Sequence, residues 1–400
     1  MTQPEKISLF INNRIFILVA AAFMLLLYSC SDNPSSIGEN LLKGDNLIIK
    51  QLDSFNDTLT QESSFSQRTL SLGGSYSLLV GKKDNVEASA LINFLIPIAD
   101  SVKNSILADS ISVVGANIQL IVNYPTKENN ASFDLTVHKI QSGWTPLHYT
   151  ADSLSMLSYD PADISSNKSL NDSVAQFDIS NDFAFSMLKY AADSIGTNFG
   201  LYIKPTDNSQ KVVGYYSSYN GIDIPQLTIA IQRLGASSQD TLIFYASSDV
   251  SVVTGSIPPT NLKSRIIVQG GLVVNSRLWF DVSRIPFNAI INDAEVTLNM
   301  DASETYLGDT TNSVLAAFLT DSSAFVVDSA TNIITFSREN NSMNGTITSY
   351  VQRWVNSRVN EGMLLFPRNE AGSVDLLTFI GSNAADSLKP RLHIIYTLKP

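Results

Sequence analysis

From residue 48 onward, apolar and polar side chains alternate in short runs punctuated by Asp, Asn, Ser and Gly. In "IPQLTIAIQ" (224–232), Leu227, Ile229 and Ile231 alternate with polar or small residues. "KPRLHIIYTL" (389–398) opens the same way, Pro-x-Leu-x-Ile, and closes the chain. A period of two with β-branched residues is the pattern of a strand with one buried face. Two such endings predict one strand-rich unit written twice.

The match extends backwards in the same order. Leu78, Leu79 and Val80 correspond to Ile266, Ile267 and Val268; Ser89 follows Val80 by nine residues, and Ser276 follows Val268 by eight. Ala116, Ile118 and Leu120 correspond to Ala294, Val296 and Leu298. "GLYIKP" (200–205) matches "GMLLFP" (362–367), and "YYSS" (215–218) matches "FIGS" (379–382). Apolar residues at helical spacing predict one helix before each of these glycines, at 183–192 and 347–359, the latter burying Tyr350, Val351, Trp354 and Val355. Gly200 and Gly362 then serve as stops or tight entries to the next strand. The expected fold is all-β: two tandem jelly-roll-like antiparallel β-sandwich domains, each with about one short covering helix. The modules run over 48–232 and 240–400, joined by a linker at 233–239 with a hinge near Gly235.

The first 29 residues read as an address. Lys6 and Arg14 precede an apolar run at 15–28 that is too short to span a bilayer, which takes roughly 20 residues, but suits a secretory signal. Leu27, Tyr28, Ser29 and Cys30 resemble a bacterial lipobox, with a bulkier third residue from the end than usual. Cys30 is the single cysteine, so the expectation is a lipid anchor there and no intrachain disulfide. Residues 30–47 form a polar, turn-rich tether. The resulting localisation is the cell envelope, as an outer-membrane lipoprotein facing the surface or the periplasm.

The net charge is −11, from 37 acidic and 26 basic residues, which disfavours nucleic acid and electrostatic adhesion to anionic lipid. The partners expected are the membrane, through the anchor, and a polysaccharide or surface protein.

The second copy resembles the DNRLRE-type β-sandwich domain in "SRLWFDVSRIPFNAIINDAEVTLNM" (276–300), Trp354 and its helix, "GMLLFP" and "PRLHIIY". The resemblance covers 241–398 well and 48–232 loosely; no literal Asp-Asn-Arg-Leu-Arg-Glu string occurs, and the first copy has the 183–192 helix in place of the Trp helix and carries a Ser/Asp-rich insertion at 151–173. It implies a carbohydrate-binding-module-like sandwich of bacterial surface proteins, some of which bind glycans. Fold follows from such patterns more directly than function.

Catalytic signals are sparse. His138, His148 and His393 show no metal-ligand spacing, and no nucleophile elbow or P-loop is present. The expectation is a protein that is not an enzyme, with a structural or assembly subunit as the alternative and a hydrolase behind it. No cofactor is expected, while structural calcium in the Asp/Asn loops stays open. Glycan binding calls for exposed aromatics, and the candidates are Trp144, Tyr149, Tyr216 and Tyr219; Tyr215, Trp279 and Trp354 are expected in the core. Finally, Asp-[Ser/Thr]-apolar-or-Thr recurs ten times, with hydroxyls at Thr58, Ser101, Ser110, Ser153, Ser173, Ser194, Thr241, Thr310, Ser329 and Ser387. It resembles a bacterial O-glycosylation sequon and equally suits Asx-turns ahead of strands.

Overall fold

The computed structural model describes residues 48–125, 130–257, 265–308, 313–385 and 387–398. The expected signal, Cys30, the tether and Thr310 lie outside them. The first twelve strands are β1 (Ile48–Asp53), β2 (Gln61–Gln67), β3 (Ser77–Lys83), β4 (Val86–Leu95), β5 (Ile111–Tyr124), β6 (Leu135–Lys139), β7 (Ser165–Leu170), β8 (Val174–Ile179), β9 (Leu201–Pro205), β10 (Val212–Tyr216), β11 (Gln226–Arg233) and β12 (Gln239–Gly255). They are followed by β13 (Arg265–Gln269), β14 (Val274–Phe280), β15 (Ile290–Asn299), β16 (Val314–Asp321), β17 (Val326–Val327), β18 (Ile334–Glu339), β19 (Ser342–Thr346), β20 (Met363–Pro367), β21 (Leu376–Ile380) and β22 (Arg391–Leu398). The helices are α1 (Asp100–Leu107), α2 (Ala151–Leu154), α3 (Asn181–Asp193) and α4 (Thr348–Ser357).

The protein is mostly β, built as two antiparallel sheet systems with few short helices. Ten strands, β3 to β12, form the first body; β1, β2 and β13 to β22 form the second. Lys50–Tyr396 is one compact unit; of the other, Met1–Ile49 with Thr397–Pro400, only the ends of β1 and β22 are described.

The repeat is visible in the pairing. β10 pairs β3 as β21 pairs β13, β4 pairs β9 as β14 pairs β20, and β5 pairs β8 as β15 pairs β19. The expected helices are α3 and α4, and α4 buries Tyr350, Val351, Trp354 and Val355. The two glycines act as strand entries: both have positive φ, +85° and +86°. A Cβ on Gly200 would collide with the Ile92 carbonyl, and one on Gly362 would stand 2.6 Å from the Leu278 carbonyl. Those carbonyls are themselves counterparts, since Ile92 faces Leu201 and Leu278 faces Met363.

Register shifts one expected match by a residue. Ala90 pairs Ile203 and Ser276 pairs Leu365, so Ser276 is the counterpart of Ala90 rather than of Ser89. The hairpins differ in length, with Gly81 opposite Ala88 but Gln269 opposite Val274. A one-residue slip reverses the facing of every side chain, and the buried Ser276 hydroxyl, which donates to Ile267 O at 2.7 Å, therefore points inward.

The two copies trade their leading strands. β12 opens the second copy in sequence, yet pairs with β11 and β4 of the first body. β1 and β2 open the first copy, yet pair with β22 and β14 of the second. The expected linker at 233–239 is consequently a hairpin: Gln232 faces Gln239, and Ala236 N–H donates to Arg233 O at 3.0 Å. Gly235, with φ +79°, sits in that turn instead of hinging two domains. The sequence repeat and the folded bodies therefore have different boundaries.

A layer shared by the two bodies accounts for the unbroken apolar runs. In β11 and β22 burial alternates, but in β3 Leu78, Leu79 and Val80 are all buried. Leu78 and Val80 enter the first body's core, with Phe94, Ile118, Phe177 and Met187. Leu79 points the other way, into a shared layer with its counterpart Ile267 and with Ala88 and Val274. Burying each such aliphatic side chain is worth about 1.5–3 kcal/mol. One polar clamp crosses the layer: Tyr124 Oη donates to Asp375 Oδ1 at 2.7 Å, which also accepts Gly308 N–H at 2.6 Å.

Candidate functional site

The outward face of the first body carries an open depression of about 410 Å³. Its floor is Gln119 and Ile121 of β5, Gln226 of β11 and Tyr245 of β12; the loop carrying Gly221, Asp223 and Ile224 forms a wall. Strand register fixes the floor. Tyr245 faces Leu95 on one side and Gln226 on the other; Gln226 faces Gln119, which faces Gln176. At about 4.8 Å between strands, that row extends over roughly 20 Å. The next row outward holds Thr228, Asn117 and Asp178.

Local sequence dictates which atoms are free. Gln226 Nε2 donates to Thr228 Oγ1 at 3.0 Å, and Asn117 and Asn167 donate to Asp178 at 3.1 and 2.8 Å. Leu227, Ile229, Phe244 and Ala246 alternate inward, so their neighbours must face out. Tyr245 is 53% exposed, and Leu95 beside it 65%. The result is an aromatic ring next to a strip of amides and hydroxyls, with Asp223 the single charge in the lining.

The wall loop is fixed from below. Ser218 N–H donates to Asp249 Oδ2 at 2.5 Å, and Tyr219 N–H donates to Ser217 Oγ at 3.2 Å. Asp249 is 5% exposed, and burial pushes its carboxyl up to about 6. Beyond the loop, Tyr219 and Tyr76 are both 62% exposed, with ring centroids 5.8 Å apart.

The other expected aromatics serve packing. Trp144 is half-buried, its indole N–H donates to Phe199 O at 2.8 Å, and Tyr149 meets its ring edge-on. Tyr149 is buried, and its hydroxyl donates to Ser153 O at 3.3 Å. Both belong to a cluster with Tyr202, Val250 and Val252 beneath the insertion. Tyr216 is half-buried on β10, opposite Ser77. Tyr215 and Trp354 are in the core, whereas Trp279 is only half-buried, its N–H donating to Asn360 O at 2.9 Å. Tyr219 alone of the four candidates stands in solvent, apart from Trp144 and Tyr149.

Tyr245, Gln119 and Gln226 were not anticipated, although the alternation in "TLIFYA" (241–246) places Tyr245 opposite Phe244. His138 is buried and bonded through both ring nitrogens, to Asp160 O and Ala162 O at 3.1 Å and to Thr136 Oγ1 at 2.9 Å. Among the described residues no group of three or more His, Cys, Asp or Glu side chains is arranged to hold a metal. Of the described sequon hydroxyls, Thr58, Ser101, Ser173, Ser194, Thr241, Ser329 and Ser387 are exposed, while Ser110 and Ser153 are half-buried in hydrogen bonds. Several of the aspartates do turn work; Asp193 Oδ1 and Asp328 Oδ1 accept N–H groups two residues on, at 2.7 and 2.9 Å.

The chain matches no family model and no curated protein.

Proposed function

We propose that this is a non-catalytic, lipid-anchored envelope protein that binds a glycan along the outward face of its first body. The single observation that carries the reading is Tyr245, exposed and flanked by the Gln226–Gln119 row in an open depression. A sugar presents an apolar face to the ring and hydroxyls to the amides, which both donate and accept. A shallow, open trough fits a chain-like ligand better than a small molecule, which prefers enclosure. With Asp223 in the wall and a net charge of −11, the trough favours a neutral polymer over a polyanion. The resemblance to DNRLRE-type modules supports the same class, and the lipobox-like Leu27–Cys30 stretch supports placement at the outer membrane.

The test is binding of the full mature chain to immobilised neutral and acidic polysaccharides. Retention on a neutral polymer is expected, weakened about tenfold by Tyr245→Ala, a loss of about 1.4 kcal/mol. No retention on any polymer, or equal retention by Tyr245→Ala, would remove the reading. For the anchor, an intact mass beginning at Cys30 and carrying acyl chains is expected; an unmodified chain would refute it.

A further inference from the structure

We infer that the chain self-associates by passing β1 and β2 into the second body of another copy. The inference is independent of glycan binding and rests on how the leading strands are held.

Both strands are edge additions. Among the described residues, β2 pairs only with β14, and β1 only with β22. Their share of the core is small: β1 buries Leu52 and Asp53, β2 buries Gln61 and packs Phe65 against the shared layer, and Leu59 is buried between them. Their counterpart β12 buries Phe244, Ala246 and the run Val250 to Val253. Backbone pairing together with the Asp53–Arg391 and Glu62–Arg277 ion pairs thus holds β1 and β2, and every copy offers the same edges and the same partners. Gln61 weakens the hold further, because neither its Oε1 nor its Nε2 has a partner, where the first body has an apolar Ala246.

The connection behind the strands is short, and its Arg68 N–H donates to Val273 O of the second body at 2.9 Å. Residues 67–70 are exposed, whereas the segment after them is fastened to the first body. Leu72 is buried in the shared layer, and Ser71 Oγ donates to Pro146 O at 2.7 Å. The strands therefore hang from the first body by a short exposed joint while filling a slot in the second. Every copy presents the same slot, so transfer to a neighbour replaces each lost contact with an identical one; closure gives a symmetric dimer, and head-to-tail transfer an open chain.

One contact reports the exchange. Ser63 Oγ of β2 lies 3.0 Å from Ser382 Oγ, beyond β21. In the full chain carrying Cys30→Ser, an oxidised Ser63→Cys/Ser382→Cys double variant should close a bridge within one chain. Mixing Ser63→Cys with isotope-labelled Ser382→Cys should yield a covalent dimer joined at that pair, rising with time and concentration. A double variant that bridges while the mixture yields no such dimer would overturn the inference. Independently, deleting Thr69 and Leu70 shortens the joint and should convert the chain to dimers or larger species by light scattering. A folded, strictly monomeric deletion variant would also overturn it.

Discussion

Gln226 lies beside Tyr245 in the first body; its counterpart in the second, by the shared Pro-x-Leu-x-Ile strand, is Arg391, which lies beside Asp53. One backbone position thus carries an open polar floor in one body and a closed ion pair in the other. Arg391 Nη2 stands 2.5 Å from Asp53 Oδ2, its guanidinium covers the Phe55 ring at 5.1 Å, and Glu295 adds a nearby charge. Duplication kept the strands and freed the surfaces to diverge. The trough belongs to the first body, because in the second the same site is occupied by side chains that satisfy each other.

A second pair of equivalents differs in charge. Asp249 faces Ile92 and Ser63 faces Leu278, so these two residues correspond. Each accepts the N–H of the loop serine that follows the matching strand, Ser218 at 2.5 Å and Ser382 at 3.1 Å. The first body uses a buried carboxylate where the second uses a hydroxyl. The carboxylates of the two bodies also respond oppositely to pH. Burial raises Asp249, whereas at Asp53 burial is outweighed by Arg391 and the Phe55 N–H, which hold it below the ordinary range.

The greatest loss of stability should come from the helices. Trp354 of α4 is 1% exposed and stacks on Phe318, a task that Met187 and Leu188 share in α3. Trp354→Ala should cost about 3–5 kcal/mol in urea unfolding. Next is Asp249. Its folded pKa of about 6 exceeds the ordinary 3.8, so the folded state binds the extra proton, and stability falls as pH rises from about 4 to 6. Asp249→Asn should flatten that slope and recover up to about 3 kcal/mol at pH 7, measured by urea titration across pH. Asp53 gives the opposite sign: its contribution is present at neutral pH and is lost as pH falls through its lowered pKa. Tyr124→Phe removes the clamp shared by the bodies and should cost about 1–3 kcal/mol, since Asp375 is buried. The smallest is Ser63→Ala, which strips an acceptor from Ser382 N–H and should cost about 1 kcal/mol by the same assay.

Much of the architecture was readable because alternation survives duplication. The paired Pro-x-Leu-x-Ile endings, the glycine entries and the helix faces all reappear in place. Strand exchange was not readable, because alternation tells which side of a strand is buried but not which partner it joins; β2 and the end of β12 meet equivalent edges in opposite bodies. The unbroken apolar runs at Leu78–Val80 and Ile266–Val268 were the available sign of a second covered face, and all six residues are buried. The trough was hidden for a related reason. Tyr245 joins Gln226 and Gln119 only through register, whereas Trp144, one of the aromatics expected in solvent, is half-buried and packs against Tyr149. Asp249 in "SSDV" looks like a turn aspartate and instead lies 5% exposed on β12.

Because β1 belongs to the second body's sheet, Ile48 opens the first copy in sequence while being held by strand pairing to the copy written last. Tension applied at that end would peel two edge strands from β22 and β14 before reaching the first body's ten strands. The molecule has a built-in order of mechanical yielding, with the trough on the side that gives way second.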